Sequence, residues 1–405
     1  MFKGALPGFR DFYPQELAER AFIMNTWRDV ARRYAFVEYD GPPLEPLELY
    51  TKKSGDEIVG QLYAFVDKGG RDVALRPEMT PTVARMVAAR ANALRKPVRW
   101  FSMPQLFRYE RQQKGRLREH YQLNVDIFGS PDVAADAELV ACAVDMMRAF
   151  GLTSDDVVVR VSDRRILQSF LASLEVPRDS ILAVYGIIDK LDRTPRDVSA
   201  EKLVAAGVPV HAVERIVTIA DVTFEEVQAR MAAMENAGAQ GETEDFARFL
   251  RYVPALLGGD ASWLKLDLSI VRGLAYYTGI VFEIFDRSGE FRAICGGGRY
   301  DNLLLSLAHT DMPALGFGMG DVVLGELLRA KGLMQPAEAA ADFWLAADET
   351  MPIEQVMFDA SRRRAAGHSV EYALRPQSLS KQKKAAQASG AKEFITLSND
   401  DASNG

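Results

Sequence analysis

Cysteine is nearly missing from this chain: Cys142 and Cys295 stand alone, with no CxxC pair. A disulfide scaffold and a thiolate zinc site are therefore not expected. The 4 histidines (His120, His211, His309, His368) are scattered and form neither HxxxH nor HxH, which argues against histidine-ligated metal chemistry. No uncharged apolar run reaches about 18 residues. The opening MFKGALPGFRDFYPQE lacks an apolar h-region, so a cytoplasmic protein with no membrane association is expected. An excess of positive charge is missing too. Lys+Arg number 49 against 56 Asp+Glu, a net charge of −7, which disfavours nucleic-acid binding by bulk charge. Local basic surfaces stay open: Arg108, Arg111, Lys114, Arg116 and Arg118 form one cluster, Arg362 to Arg364 with Lys381, Lys383 and Lys384 another. What remains is ordinary globular composition, 48% hydrophobic and 26% charged over 405 residues. That length is enough for about two to three domains.

Helical spacing runs from Pro14 to Tyr34, with Leu17, Ala21, Met24, Trp27 and Val30 at steps of three or four. Pro42, Pro43 and Pro46 then forbid a helix interior. LYAFVD and DVALRP read as a hairpin joined by KGGR, and TPTVARMVAARANAL as a helix with Thr80 as N-cap and Pro81 at N1. Two β-rich runs, VRWFSMPQLFRYE and EHYQLNVDIFG, flank RQQKGRLR; a helix (DVAADAELVACAVDMMRAFG) and a strand (VVVRVS) follow. Residues 163–262 are mostly helical, like an insertion. Strands return with LKLDLSIVRGLAYYTGIVFEIFDR and FRAICGGGRYD, and GFGMGDVVLGELLRAKG reads as a glycine-spaced helix start. After MQPAEAAAD the pattern becomes βαβαβ. The expected domains are 1–162 and 263–333 as two parts of one catalytic domain, 163–262 as a helical insertion, and 342–405 as a small α/β domain. The long antiparallel run without βαβ alternation predicts an α+β fold, an antiparallel sheet flanked by helices.

Gln122, Asn124 and Asp126 recur at period two and share one face of their strand. A polar row in mid-sheet costs free energy unless it meets solvent or a ligand. The arginines at the neighbouring strand end favour a ligand, since guanidinium matches phosphate oxygens bidentately.

FRYERQQKGRLREHYQLNVDIFG resembles motif 2 of class II aminoacyl-tRNA synthetases, in the form found in histidyl-tRNA synthetases. Further matches follow in order: PPLE like motif 1, LRPEMT, VRGLAYYTG, CGGGRYD, and GFGMGD at the motif 3 position. The resemblance implies that ATP activates L-histidine to histidyl-adenylate and that the histidyl group passes to tRNA(His). It implies Arg108 and Arg272 as the catalytic cations flanking the α-phosphate. Glu78, Thr80, Arg108, Gln122, Asp126, Arg272, Tyr276 and Tyr277 would bind histidine. Arg108, Glu110, Arg111, Arg116 and Gln122 would bind ATP, which enters with Mg2+ as a substrate. No metal site built from protein side chains alone and no organic prosthetic group are implied. Motif 1 implies a homodimer, and the tail resembles the family's anticodon-binding α/β domain, in a short form.

Two departures stand out. Asp321, Val322 and Val323 occupy the segment where most class II enzymes place an arginine near ATP, and Ala275 replaces an aspartate common in RGLDYY. LRPEMTPTVARM also resembles a non-catalytic relative, the regulatory subunit of ATP phosphoribosyltransferase. Against that alternative stand the full motif 2 loop and the anticodon-like tail.

Overall fold

The computed structural model describes residues 4–51, 59–110, 115–233, 237–271, 276–335 and 341–398. Arg111, Lys114, Arg272 and Ala275 lie outside the described residues. The chain divides into two compact units, Met1–Met334 and Gln335–Gly405.

The larger unit is organised on a sheet with nine strands among the described residues. They are β1 (Val37–Glu38), β5 (Val98–Ser102), β6 (Gln105–Phe107), β7 (Glu119–Phe128), β8 (Val157–Asp163), β9 (Leu264–Leu266), β10 (Ile280–Asp286), β11 (Cys295–Arg299) and β12 (Ala314–Gly320). The order is β1-β5-β7-β12-β11-β10-β8-β9, with β6 paired to the start of β7. Pairing is antiparallel except at the two ends, where β1 joins β5 and β8 joins β9 in parallel. The expected hairpin is present as β3 (Tyr63–Val66) and β4 (Asp72–Leu75), in a separate three-stranded sheet with β2 (Leu44–Pro46).

Period two splits the large sheet into unlike faces. Leu123, Val125 and Ile127 of β7 share one hydrophobic core with Phe317 and Met319 of β12, Phe282 and Ile284 of β10, and Val159 and Val161 of β8. The helices Pro14–Arg33 and Ala134–Ala149 bury their apolar faces in the same core, Trp27 donating its indole N–H to Met319 Sδ at 3.1 Å. Gly297 also faces this side. A Cβ there would lie 2.3 Å from the Gly316 carbonyl oxygen and 2.5 Å from Phe317 Cβ, so only glycine fits between these strands.

Residues 164–256 supply a run of helices, from Arg164–Ser173 to Ala237–Leu256. Their Phe170, Val184, Leu203, Phe246 and Val253 belong to the same continuous core as the sheet. Two local readings shift. GFGMG is the end of strand β12 rather than a helix start, because alternate glycines serve a sheet face there; the helix begins at Asp321. Thr80 is the first helical residue of Thr80–Ala88, and Met79 occupies the N-cap position with no side-chain cap. Among the described residues, no helix is long and apolar enough to cross a membrane.

The smaller unit is a parallel sheet, β14 (Val370–Tyr372), β13 (Phe343–Ala346), β15 (Glu393–Thr396), in that order. The helices Ile353–Ala365 and Leu379–Ser389 cover it, each with its own small core: Leu345, Val356, Ala360 and Val370 in one, Trp344, Ala346 and Ala386 in the other.

Candidate active site

The second face of the large sheet is built differently. Opposite Gln122, Asn124 and Asp126 of β7 stand Gly320, Gly318 and Gly316 of β12. Gly318 and Gly316 pair in turn with Gly296 and Gly298 of β11, and those with Glu283 and Val281 of β10. Directly opposed residues point to the same face, so five glycines form a floor between a polar row and Glu283. This floor has a use for its missing side chains. A Cβ on Gly316 would strike Asp126 Oδ1 at 2.2 Å, and one on Gly318 the Gln122 amide at 1.7 Å. Gly298 gives its space to Tyr277 and the Ile280 carbonyl.

One end of this face opens into a cleft of about 770 Å³. Arg108, Glu110 and Arg116 line it, together with His120, Arg160, Glu283, Arg292, Gly320 and Val323. Arg108 follows β6, and its Nε donates to the Pro77 carbonyl at 2.9 Å, which fixes the guanidinium plane. Its Nη1 lies 3.9 Å from Glu110 Oε1, while Arg116 Nη1 sits 3.2 Å from Glu110 Oε2. Arg108, Glu110 and Arg116, three of the four expected ATP residues that are described, are thus brought together; the fourth, Gln122, stands on β7 next to His120. His120 is held near 3, first by burial and then by the Arg108 charge, and is neutral at pH 7. Its Nε2 is 3.3 Å from Gln122 Oε1.

Deeper along the same face lies a tyrosine cluster. The rings of Tyr276, Tyr277 and Tyr300 have centroids 5.1 to 6.4 Å apart. Tyr276 donates its hydroxyl proton to Glu78 Oε2 at 3.2 Å, and Tyr300 donates to Asp126 Oδ1. Asp126 is buried, its Oδ2 has no hydrogen-bond partner among the described residues, and burial pushes its carboxyl up to about 7. Glu78, Tyr276, Tyr277, Gln122 and Asp126 therefore border one region, with Thr80 two residues beyond Glu78 at the helix start.

Arg164 Nε and Nη1 donate to the carbonyls of Val271 and Tyr277 at 3.1 and 3.2 Å. Asp321 is spent on structure: its Oδ2 pairs with Arg10 Nη1 at 2.8 Å and its Oδ1 accepts from the Tyr121 N–H at 2.9 Å. Arg299 of CGGGRYD is likewise structural, forked onto buried Asp136. No group of three or more His, Cys, Asp or Glu side chains that could hold a metal occurs among the described residues.

Sequence reasoning missed His120, Arg160, Glu283, Arg292 and Tyr300. The period-two rule could have found His120, which continues the Gln122–Asp126 row. Arg292, Arg160 and Glu283 carry no local signal, because tertiary pairing alone brings them to the cleft.

The site can be tested by filling its floor. Gly318→Ala pushes only the far end of the flexible Gln122 side chain, so the fold should survive with a melting temperature close to that of the parent. The displaced amide should raise the KM for the amino acid that the resemblance implies about two- to tenfold, the worth of one hydrogen bond. An unchanged KM would remove Gln122 from the site.

A family model described as histidyl-tRNA synthetase matches residues 8–320. Among curated proteins, the histidine–tRNA ligase of Opitutus terrae is 44% identical over 390 residues, 96% of this chain and 89% of that protein. The histidine–tRNA ligase of Haloarcula marismortui is 40% identical over 408 residues, 99% and 91% of the two chains. Among solved structures, the crystal structure of histidyl-tRNA synthetase from Nostoc sp. PCC 7120 superposes with a TM-score of 0.84 at 23% identity, covering 99% of this chain and 94% of that one.

Proposed function

Because the chain belongs to the histidyl-tRNA synthetase family, we infer that it activates histidine with ATP to histidyl-adenylate and passes the histidyl group to tRNA(His). It is a class II aminoacyl-tRNA synthetase, a histidine–tRNA ligase. The observation that carries the reading is the sheet face on which an arginine-lined cleft and a buried carboxylate–tyrosine cluster adjoin over a floor of glycines.

The reaction joins two anions, so catalysis rests on holding them in line and on positive charge around the phosphorus. Arg108, with its plane fixed by Pro77, holds the α-phosphate and the histidine carboxylate. Arg272, which the resemblance pairs with it, is its partner across the phosphorus. Glu110 meets the adenine amino group, and Arg116 and Arg111 meet the outer phosphates. Glu78 takes the α-ammonium of histidine beside the Tyr276 hydroxyl and Thr80. Gln122 bridges to the amino acid and to ATP, Tyr277 walls the pocket, and Asp126 Oδ2 accepts the imidazole N–H. Mg2+ enters bound to ATP. The donor set fits it, since Mg2+ keeps phosphate and water ligands and would need only one carboxylate from the cleft wall, which Glu283 offers. When bound, it neutralises charge on the outer phosphates.

We place the enzyme in the cytoplasm as a homodimer. The regulatory-subunit alternative gains nothing from the relatives above, which are ligases matched over nearly the whole chain. Histidine-dependent ATP–pyrophosphate exchange, followed by charging of tRNA(His), tests the reading; no exchange with pure protein overturns it.

The smaller unit is assigned to tRNA. Its Arg362 and Arg364 end the helix Ile353–Ala365, and Lys381, Lys383 and Lys384 are exposed on Leu379–Ser389. Deleting residues from 335 onward should raise the KM for tRNA while exchange stays within about twofold, because phosphate contacts add affinity rather than chemistry. The wild-type tRNA affinity should also fall more steeply with salt than that of the deletion. Loss of exchange would make this unit a support for the larger one.

A further inference from the structure

We propose that Arg292 is a contact for the polyphosphate of ATP, supplying the cleft with a cation that the helix beginning at Asp321 does not provide. This rests on the synthetase reading above. On that helix the cleft wall is Val322 and Val323, both apolar. The arginine reaches the same patch from the turn between β10 and β11. A Cβ placed on Gly115 would lie 3.4 Å from Val323 Cγ2 and 3.9 Å from Arg292 Cδ, so both side chains flank Gly115 on the same part of the wall.

The base of Arg292 is fixed. Asp286 Oδ2 accepts from the Ser288 hydroxyl and, at 3.0 Å, from the Glu290 N–H, and Oδ1 accepts from the Phe291 N–H at 3.0 Å. The Ile294 N–H donates to the Ile284 carbonyl at 2.8 Å on the other side. A guanidinium leaving a turn held at both sides loses less freedom on gripping a ligand than one on an open loop.

Its surroundings call for an anion. Arg116 and Arg193 line the same cleft, and both repel the Arg292 charge, with Glu110 opposing them. Guanidiniums stay protonated under such repulsion. A triphosphate placed among them would relieve it and take paired N–H···O bonds. Histidine, which carries one carboxylate and one ammonium, would not.

The test is histidine-dependent exchange with the full chain. Arg292→Ala should raise the KM for ATP about tenfold or more and leave the KM for histidine within about threefold. Arg292→Lys should fall between, since it keeps the charge and loses the fork. Adding Val323→Arg to Arg292→Ala should recover part of the ATP KM, because it returns a cation to the same patch. An unchanged ATP KM, or equal increases for ATP and histidine, overturns the proposal. Should Arg292→Ala fail to fold, Arg292→Gln, which keeps most of the volume without the charge, decides by the same criteria. A wild-type chain without exchange refutes the synthetase reading; an active wild type with indifferent Arg292 variants refutes only this inference.

Discussion

Arg108→Ala is expected to lower the turnover of histidine-dependent pyrophosphate exchange about 100- to 1,000-fold, the usual loss when one preorganised donor to developing charge is removed. Arg108 is 28% exposed and braced at Nε by the Pro77 carbonyl at 2.9 Å, so its Nη atoms are held at the cleft before substrate arrives. Preorganisation of this kind acts on kcat, because the charge it meets grows as the α-phosphate is attacked. Arg108→Lys should lose less, about tenfold, since it keeps charge and loses the bidentate geometry. Arg272→Ala should match Arg108→Ala in size, and the double variant should be no worse than either by more than a small factor, because the two cations serve one transition state. Steady-state exchange kinetics decide the matter: near-normal turnover in Arg108→Ala would take it out of the mechanism.

The second large effect concerns recognition of the imidazole. Asp126→Asn should weaken histidine about 10- to 150-fold, corresponding to about 1.5–3 kcal/mol for a hydrogen bond to a charged group, and leave ATP nearly untouched. Tyr300 can still donate to the amide oxygen, so the buried network survives. The pH dependence has a definite sign. The Asp126 carboxyl, pushed up to about 7 by burial, becomes neutral as pH falls below that value, and the wild type then loses the acceptor it offers to histidine. The ratio of the variant KM to the wild-type KM, in which the titration of histidine itself cancels, should be largest near pH 8.5 and shrink towards one as pH falls through about 7. For folding, a carboxyl raised above its unfolded value near 3.9 contributes stability that is fully present below about pH 4 and lost as pH rises through about 7. Asp126→Asn should therefore fold at least as well as the wild type at pH 8. Calorimetric titration with histidine and with ATP checks the split; unchanged histidine affinity would return Asp126 to a purely structural role.

The part of the candidate site that is legible in the sequence follows from geometry that repeats along the chain. A strand alternates its faces, so Gln122, Asn124 and Asp126 announce a shared face without knowledge of their neighbours. The same rule applied to GFGMG gives alternating glycines, yet a glycine carries no mark of which face it serves, and from sequence alone the strand resembles the start of a helix. Nor does CGGGRYD show what its adjacent glycines make room for: Gly297 faces the core against Phe317, and Gly298 yields to Tyr277. Asp321 shows a different limit. Its absence of positive charge was plain, but its pairing with Arg10, 311 positions away, depends on where the amino-terminal segment crosses the sheet. Arg292 reaches the cleft for a similar reason, since nothing in FRAIC says what its turn will face.

The single core shared by the sheet and the helices of residues 164–256 bears on how such a chain could be taken apart. A module joined by linkers can be excised and leave both remnants water-soluble. Here excision would strip Phe170, Phe246 and Val253 from Val159 and Val161, exposing on each fragment an apolar surface of the kind that drives aggregation. Insertions and deletions tolerated within this stretch should therefore lie in its connecting turns, with the buried stripes of its helices kept intact.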